Sequence, residues 1–170
     1  MTEKQYPAFE LRKIDERYKE QVQDLFKACP EYFWIAEGQE ATDLSLKEFF
    51  EERPPGTEPQ EKHLYGVFVA DRLVGVVDLV ENYPEPGEWI IGLLLLHPDL
   101  RGRGLGGQVH EELVEMARNG GATKMRLGVV TQNERGIAFW TRLGYREISR
   151  TAPRLMGKKT SVILVMNRPV

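Results

Sequence analysis

Eight consecutive apolar residues, Trp89 to Leu96 (WIIGLLLL), constrain this chain more than any other stretch of it. A strand with water on one face alternates apolar and polar side chains, whereas a run with no polar member must be covered on both faces. The run is far too short to span a bilayer. It reads as the central strand of a sheet with helices on both sides. A chain of 170 residues is long enough for one such domain with a substantial core.

The other elements arrange themselves around that strand. FELRKI (Phe9–Ile14) alternates as a short strand. Asp15 then caps a helix with Tyr18, Val22, Leu25, Phe26 and Cys29 on one face, and Pro30 ends it. EYFWIAEG connects it to a shorter helix around Ser45–Glu52, where Ser45 and Glu48 have capping-box spacing and Pro54-Pro55 stops the run. LYGVFVA and RLVGVVDLVE flank Asp71 as a hairpin. Past the central strand come a helix ended by Asn119–Gly121 and the strand KMRLGVV. A helix from the Thr131/Glu134 capping-box pair to Leu143 follows, then a closing antiparallel pair, YREISRTA and TSVILVMNR. The order is β-α-α-β-β-β-α-β-α-β-β, a mixed α/β fold.

Between the central strand and the next helix lies HPDLRGRGLGG, with glycine at 102, 104, 106 and 107 and arginine at 101 and 103. A helix start carries unpaired N–H donors and partial positive charge, and glycine lets an anion reach the backbone. One tight turn does not need this many glycines, so the stretch reads as a main-chain cradle for a diphosphate. GRGLGG satisfies G-x-G-x-x-G literally, which raises a nicotinamide-dinucleotide enzyme. Against it, HPDLR separates the glycines from their strand, and Thr131-Gln132 stand where an acid for the ribose belongs.

From Leu64 to Arg168 the sequence resembles the GNAT superfamily of acyl-CoA N-acyltransferases. RGRGLG fits its [QR]-x-x-G-x-[GA] signature at Arg101, Gly104 and Gly106, and TQNERGIAFWTRLGYRE fits its second block through Asn133, Ala138-Phe139 and Leu143-Gly144-Tyr145. The resemblance implies a largely antiparallel mixed sheet splayed between its fourth and fifth strands. It implies acetyl-CoA, with the diphosphate on the amides of Arg101, Gly102, Arg103, Gly104, Leu105, Gly106 and Gly107. The pantetheine arm would lie along the backbone of Leu94, Leu95 and Leu96, which also supplies an oxyanion donor, and Asn133 would contact the arm or phosphates.

The family's reaction is direct attack of an amine on the thioester, so Cys29 needs no nucleophilic role, and a base should lie near the middle of the sheet. Glu88 is the first candidate. Asp78 follows, because an acid inside VGVVDLVE is costly unless paired or functional; Glu81 and His97 come after. Many members carry a tyrosine acid where this chain has Trp140, whose indole donates a hydrogen bond but transfers no proton. Trp140 is therefore placed beside the cofactor sulfur or in packing, with Tyr83 and Tyr145 as substitute acids. A non-catalytic acyl-CoA-binding module is the alternative that Trp140 permits.

The acceptor site falls to CPEYFWIAEG, with Tyr32, Phe33 and Trp34 as an aromatic wall and Glu31 or Glu37 drawing a cationic amine. A small-molecule amine is expected. The formal charge of −3 speaks against a nucleic-acid partner. No stretch reads as a leader or membrane span, a single cysteine fits a reducing cytoplasm, and the scattered histidines suggest no metal. A homodimer is expected by analogy alone. One domain is expected over 1–170, with the acceptor helices in 1–63 and the cofactor core in 64–170.

Overall fold

The computed structural model describes residues 6–170. Seven strands form one sheet, in the spatial order β1 (Glu10–Lys13), β2 (Lys62–Val69), β3 (Arg72–Val80), β4 (Glu88–Leu96), β5 (Lys124–Val130), β9 (Ile163–Pro169) and β6 (Arg146–Arg150). Only β4 and β5 run parallel. Beyond β6 a small hairpin, β7 (Arg154–Met156) and β8 (Lys159–Ser161), pairs with itself. Ala70 and Asp71 both take positive φ between β2 and β3, the backbone that a two-residue hairpin turn requires.

Helices cover both faces, as the apolar β4 demands. On one face lie α1 (Lys19–Ala28), α2 (Pro30–Glu37) and α3 (Asp43–Glu51), whose core joins Val22, Phe26, Phe33 and Phe49 to Val76 and Leu95. On the other lie α4 (Leu105–Asn119) and α5 (Glu134–Arg142), with Leu105, Val109, Leu113 and Trp140 against Val77, Leu79, Ile91 and Leu127.

Three local expectations change. Pro30 does not close a helical region; it opens α2. A residue before proline is disfavoured in the α conformation, so Cys29 (φ −119°, ψ 50°) breaks α1, while proline is at home in the first helical turn. EYFWIAEG is thus helix, closed by Gly38 with left-handed φ. α3 is capped by Thr42 paired with Ser45, not by Ser45 with Glu48, and α5 by Asn133 in place of Thr131. Asp15 caps a 3-10 turn, Glu16–Tyr18, ahead of α1.

Candidate active site

Parallel pairing of β4 with β5 stops after Ile91↔Leu127. The next residue on each strand is glycine, Gly92 and Gly128, and both are exposed although they lie in the middle of a sheet. Past that point β4 keeps its β3 partners through Leu96 but has none toward β5. The register with β3 shifts at Asp78/Leu79, where β4 bulges around Gly92. Leu93 and Leu94 remain only half-buried. The result is an open cleft with one unpaired backbone edge, of the kind an extended amide chain can complete.

Both helices that leave the sheet here begin at the open end, and their starts differ. Asn133 caps α5, its Oδ1 accepting from the Gly136 N–H at 3.0 Å. α4 has glycine at its N-cap, no side-chain cap and no acid in its first turn. Gly104 holds φ +87° and Gly102 φ +75°, so side chains would strain the backbone there. Gly106 is small for another reason: a Cβ would meet the Phe139 ring at 3.2 Å. Among the described residues no side chain caps the first-turn donors of α4, and a diphosphate fits that donor set. The glycines do not follow β4 directly, because a 3-10 turn, Pro98–Leu100, intervenes. This, with a sheet parallel only at β4–β5, removes the dinucleotide alternative.

The arginines of the turn, both exposed, bond the chain's own carbonyls. Arg101 donates from Nε to the Leu96 carbonyl at 3.0 Å, and Arg103 donates to the Asp99 carbonyl. The Leu96 carbonyl is therefore already engaged. Leu95 points into the core between the sheet and α1–α3, whereas Leu94 packs on the α4 side.

Among the base candidates the structure separates the first two. Glu88 is buried at the closed end of the β4–β5 pair, its Oε1 2.9 Å from Arg126 Nε, roughly 13 Å along the strand from Gly92. Tyr83 lies in the turn before β4, at that same end. Glu81 is there too, 2.6 Å from His63 Nε2. His97 caps the 3-10 turn with Nδ1. The cleft thus receives neither Glu88 nor Tyr83 nor Glu81.

Asp78 sits beside the bulge. A Cβ on Gly92 would come within 2.9 Å of its Oδ2, so glycine is what admits the carboxylate. That oxygen accepts from Lys62 Nζ at 2.8 Å, and Lys62 also donates to the Glu52 carbonyl at 2.7 Å. Oδ1 is buried without a hydrogen-bond partner, alone in this among the described side chains. Burial pushes the Asp78 carboxyl above its ordinary range, against the pull of Lys62.

On the acceptor side, Phe33 belongs to the core, 4.9 Å from Phe26 between ring centroids, which corrects its placement in a substrate wall. Trp34 is exposed. Tyr32 is half-buried, and its hydroxyl is pushed up to about 12 by burial and then by Glu37. Burial also raises Glu37, with Glu48 adding to it. Trp140 packs edge-on to His110 and Tyr145, 5.9 and 5.5 Å away, in the core under α4. The His110 Nε2 and Tyr145 Oη lie 2.8 Å apart in the core, and burial pushes the Tyr145 hydroxyl up.

Residues not singled out from the sequence shape the surroundings: Gly92 and Gly128 where the strands part, Lys62 on Asp78, Glu48 near Glu37, and Gln132 on the Ile35 carbonyl. Glycine inside an apolar strand was the available signal for the first two, since it marks a bulge or a close approach. Nothing local to Lys62 announces its pairing with a residue 16 positions away.

A sheet parted at its one parallel pair, with a bare helix start at the parted end, is the arrangement that accompanies the family assignment. The sequence pattern of the acetyltransferase (GNAT) family matches residues 12–145, and the chain belongs to that family. It is an acyltransferase. In fold it is similar to an acetyltransferase from Thermus thermophilus, with TM-score 0.80 and 22% identity over 96% of this chain and 97% of that one. An acetyltransferase from Bacillus subtilis in complex with CoA matches with TM-score 0.65 and 13% identity, covering 96% and 99%. The ribosomal-protein-S18-alanine N-acetyltransferase from Escherichia coli matches with TM-score 0.65 and 15% identity, covering 95% and 94%. No curated protein matches the chain in sequence. No helix among the described residues is long and apolar enough to cross a membrane.

Proposed function

We propose that this protein transfers the acetyl group of acetyl-CoA to the primary amine of a small molecule, by direct attack within a ternary complex. Acetyl-CoA supplies a thioester carbonyl open to an amine nucleophile. The first-turn amides of α4, Leu105 to Gly107, bind the diphosphate, and the unpaired edge of β4 around Leu94 orients the arm and offers an N–H to the thioester oxygen. Asn133 keeps its amide nitrogen available at the mouth of the cleft. Tyr32 and Glu37 on α2 receive the amine, and Trp34 stands at the rim.

One observation carries the N-acyl reading: the partnerless Asp78 Oδ1 at the point where the strands part. An amine must be neutral to attack, and a desolvated carboxylate with one oxygen held by Lys62 and the other free can take its proton. Trp140 contributes packing, and with a thiol pKa of about 8.5 the departing sulfur needs no protein acid. The reading is tested by thiol release from acetyl-CoA over a panel of amines, with pH–rate profiles of the wild type and Asp78→Asn. The wild-type rate rises with pH as Asp78 loses its proton, and Asp78→Asn lacks that limb. A profile shared by the two proteins removes Asp78 as the base; no release with any amine removes the acceptor class.

A further inference from the structure

Arg101 opens the phosphate turn, yet its guanidinium binds elsewhere. Besides Nε to the Leu96 carbonyl, it places Nη2 3.3 Å from Cys29 Sγ, and that sulfur lies 3.7 Å from the same carbonyl. Three pieces of chain meet there: the last residue of β4, the first of the phosphate turn, and the residue that divides α1 from α2. Cys29 is 1% exposed, and burial pushes its thiol up despite Arg101, so the guanidinium meets a neutral S–H. The contact is directional rather than ionic. It needs the planar fork of arginine, whose donors point in two fixed directions.

The other end of α2 is moored as well. Gln132, in the turn between β5 and α5, donates from Nε2 to the Ile35 carbonyl at 3.0 Å and to Ser161 Oγ at 2.7 Å. The Lys158 N–H donates to the Glu37 carbonyl at 2.8 Å. α2 therefore runs from the end of one wall of the cleft to the end of the other. Its fastenings are the two turns that lead into α4 and α5, together with the β7–β8 turn at Lys158.

We propose that Arg101 is a positioning residue: it ties the phosphate turn to α2, so that filling the turn fixes the helix carrying Tyr32 and Glu37 over the cleft. This rests on the reading of the α4 start as the CoA site. It assigns the arginine side chain to the acceptor helix and leaves the phosphates to main-chain donors.

The experiment is amide hydrogen exchange on the whole protein, with and without saturating CoA, beside calorimetric titration with CoA and with pantetheine, which lacks the diphosphate. In the wild type, CoA slows exchange at 101–107 and also at 30–37, the latter about fivefold or more. Arg101→Lys keeps the charge and loses the fork. It still binds CoA and protects 101–107, while the response at 30–37 disappears. Cys29→Ala weakens that response, and adding Arg101→Lys to it takes away only the remainder. Should Arg101→Lys not fold, as judged by circular dichroism, Cys29→Ala carries the test alone.

An equal response at 30–37 in the wild type and these variants overturns the proposal. So does an Arg101→Lys protein that loses affinity for CoA but not for pantetheine, since the guanidinium would then serve the diphosphate. A wild type that takes up no CoA by calorimetry overturns the cofactor reading itself, which is a separate result.

Discussion

The two ends of the β4–β5 pair carry the same kind of residue to opposite effect. At the closed end Glu88 is buried and its Oε1 accepts from Arg126 Nε, beside Trp89 and Met125 in the core. At the open end Asp78 is nearly as enclosed, but one of its oxygens has no partner and its neighbour Gly92 is exposed. A buried acid in a strand is thus no guide to chemistry by itself. What separates the two carboxylates is that Asp78 alone keeps a buried oxygen without a partner, the feature on which its proposed role as base rests.

That contrast can be broken by experiment. The largest effect expected is on turnover: Asp78→Asn lowers kcat by roughly a hundredfold to a thousandfold, while Glu88→Ala leaves it within about tenfold, read by thiol release at saturating acetyl-CoA. Comparable losses in both would erase the distinction between the ends. Next comes affinity at the helix start. A Cβ at Gly107 meets only Leu143, at 4.0 Å, so Gly107→Asp adds charge without a clash. It weakens CoA binding on the order of a hundredfold in calorimetry, because a carboxylate opposes the diphosphate at close range. Gly107→Ala binds normally and melts no lower.

The closed end answers in stability. Glu88→Ala strands the Arg126 guanidinium and costs about 3 kcal/mol in urea denaturation. A second stability effect, spread over more than two pH units, concerns the packing beneath the open end. Burial, and then Arg168, pushes His110 down to about 4 in the folded state. The unfolded chain therefore binds the proton more tightly, and stability falls as pH drops from 6.5 to about 4, by about 1.4 kcal/mol per pH unit. His110→Phe flattens that part of the stability–pH curve; a slope identical to wild type would show that another group titrates.

How far the sequence disclosed this depends on the range of the interactions. The central strand, the β2–β3 turn and the glycine-rich helix start were legible because each is written in adjacent residues. α2 was not, since Pro30 marks a helix start and a helix stop with the same letter. The ranking of Glu88 over Asp78 is reversed in the proposal above for a different reason. Position at the head of a strand says nothing of Arg126 on the neighbouring strand, which pairs with Glu88, nor of the bulge at Gly92 that makes room for the Asp78 carboxylate. Phe33 and Trp34 stand side by side in the chain, and only tertiary packing sends one inward and leaves the other in water.

The β7–β8 hairpin bonds only to itself as a sheet and touches the rest of the protein chiefly through the end of α2 and the Gln132 side chain. Such an appendage is an exchangeable cassette. Its length and residues can drift without disturbing any strand of the main sheet, while every change lands beside the helix proposed to meet the acceptor. New acceptor preferences can therefore be acquired here in small steps, at little risk to folding.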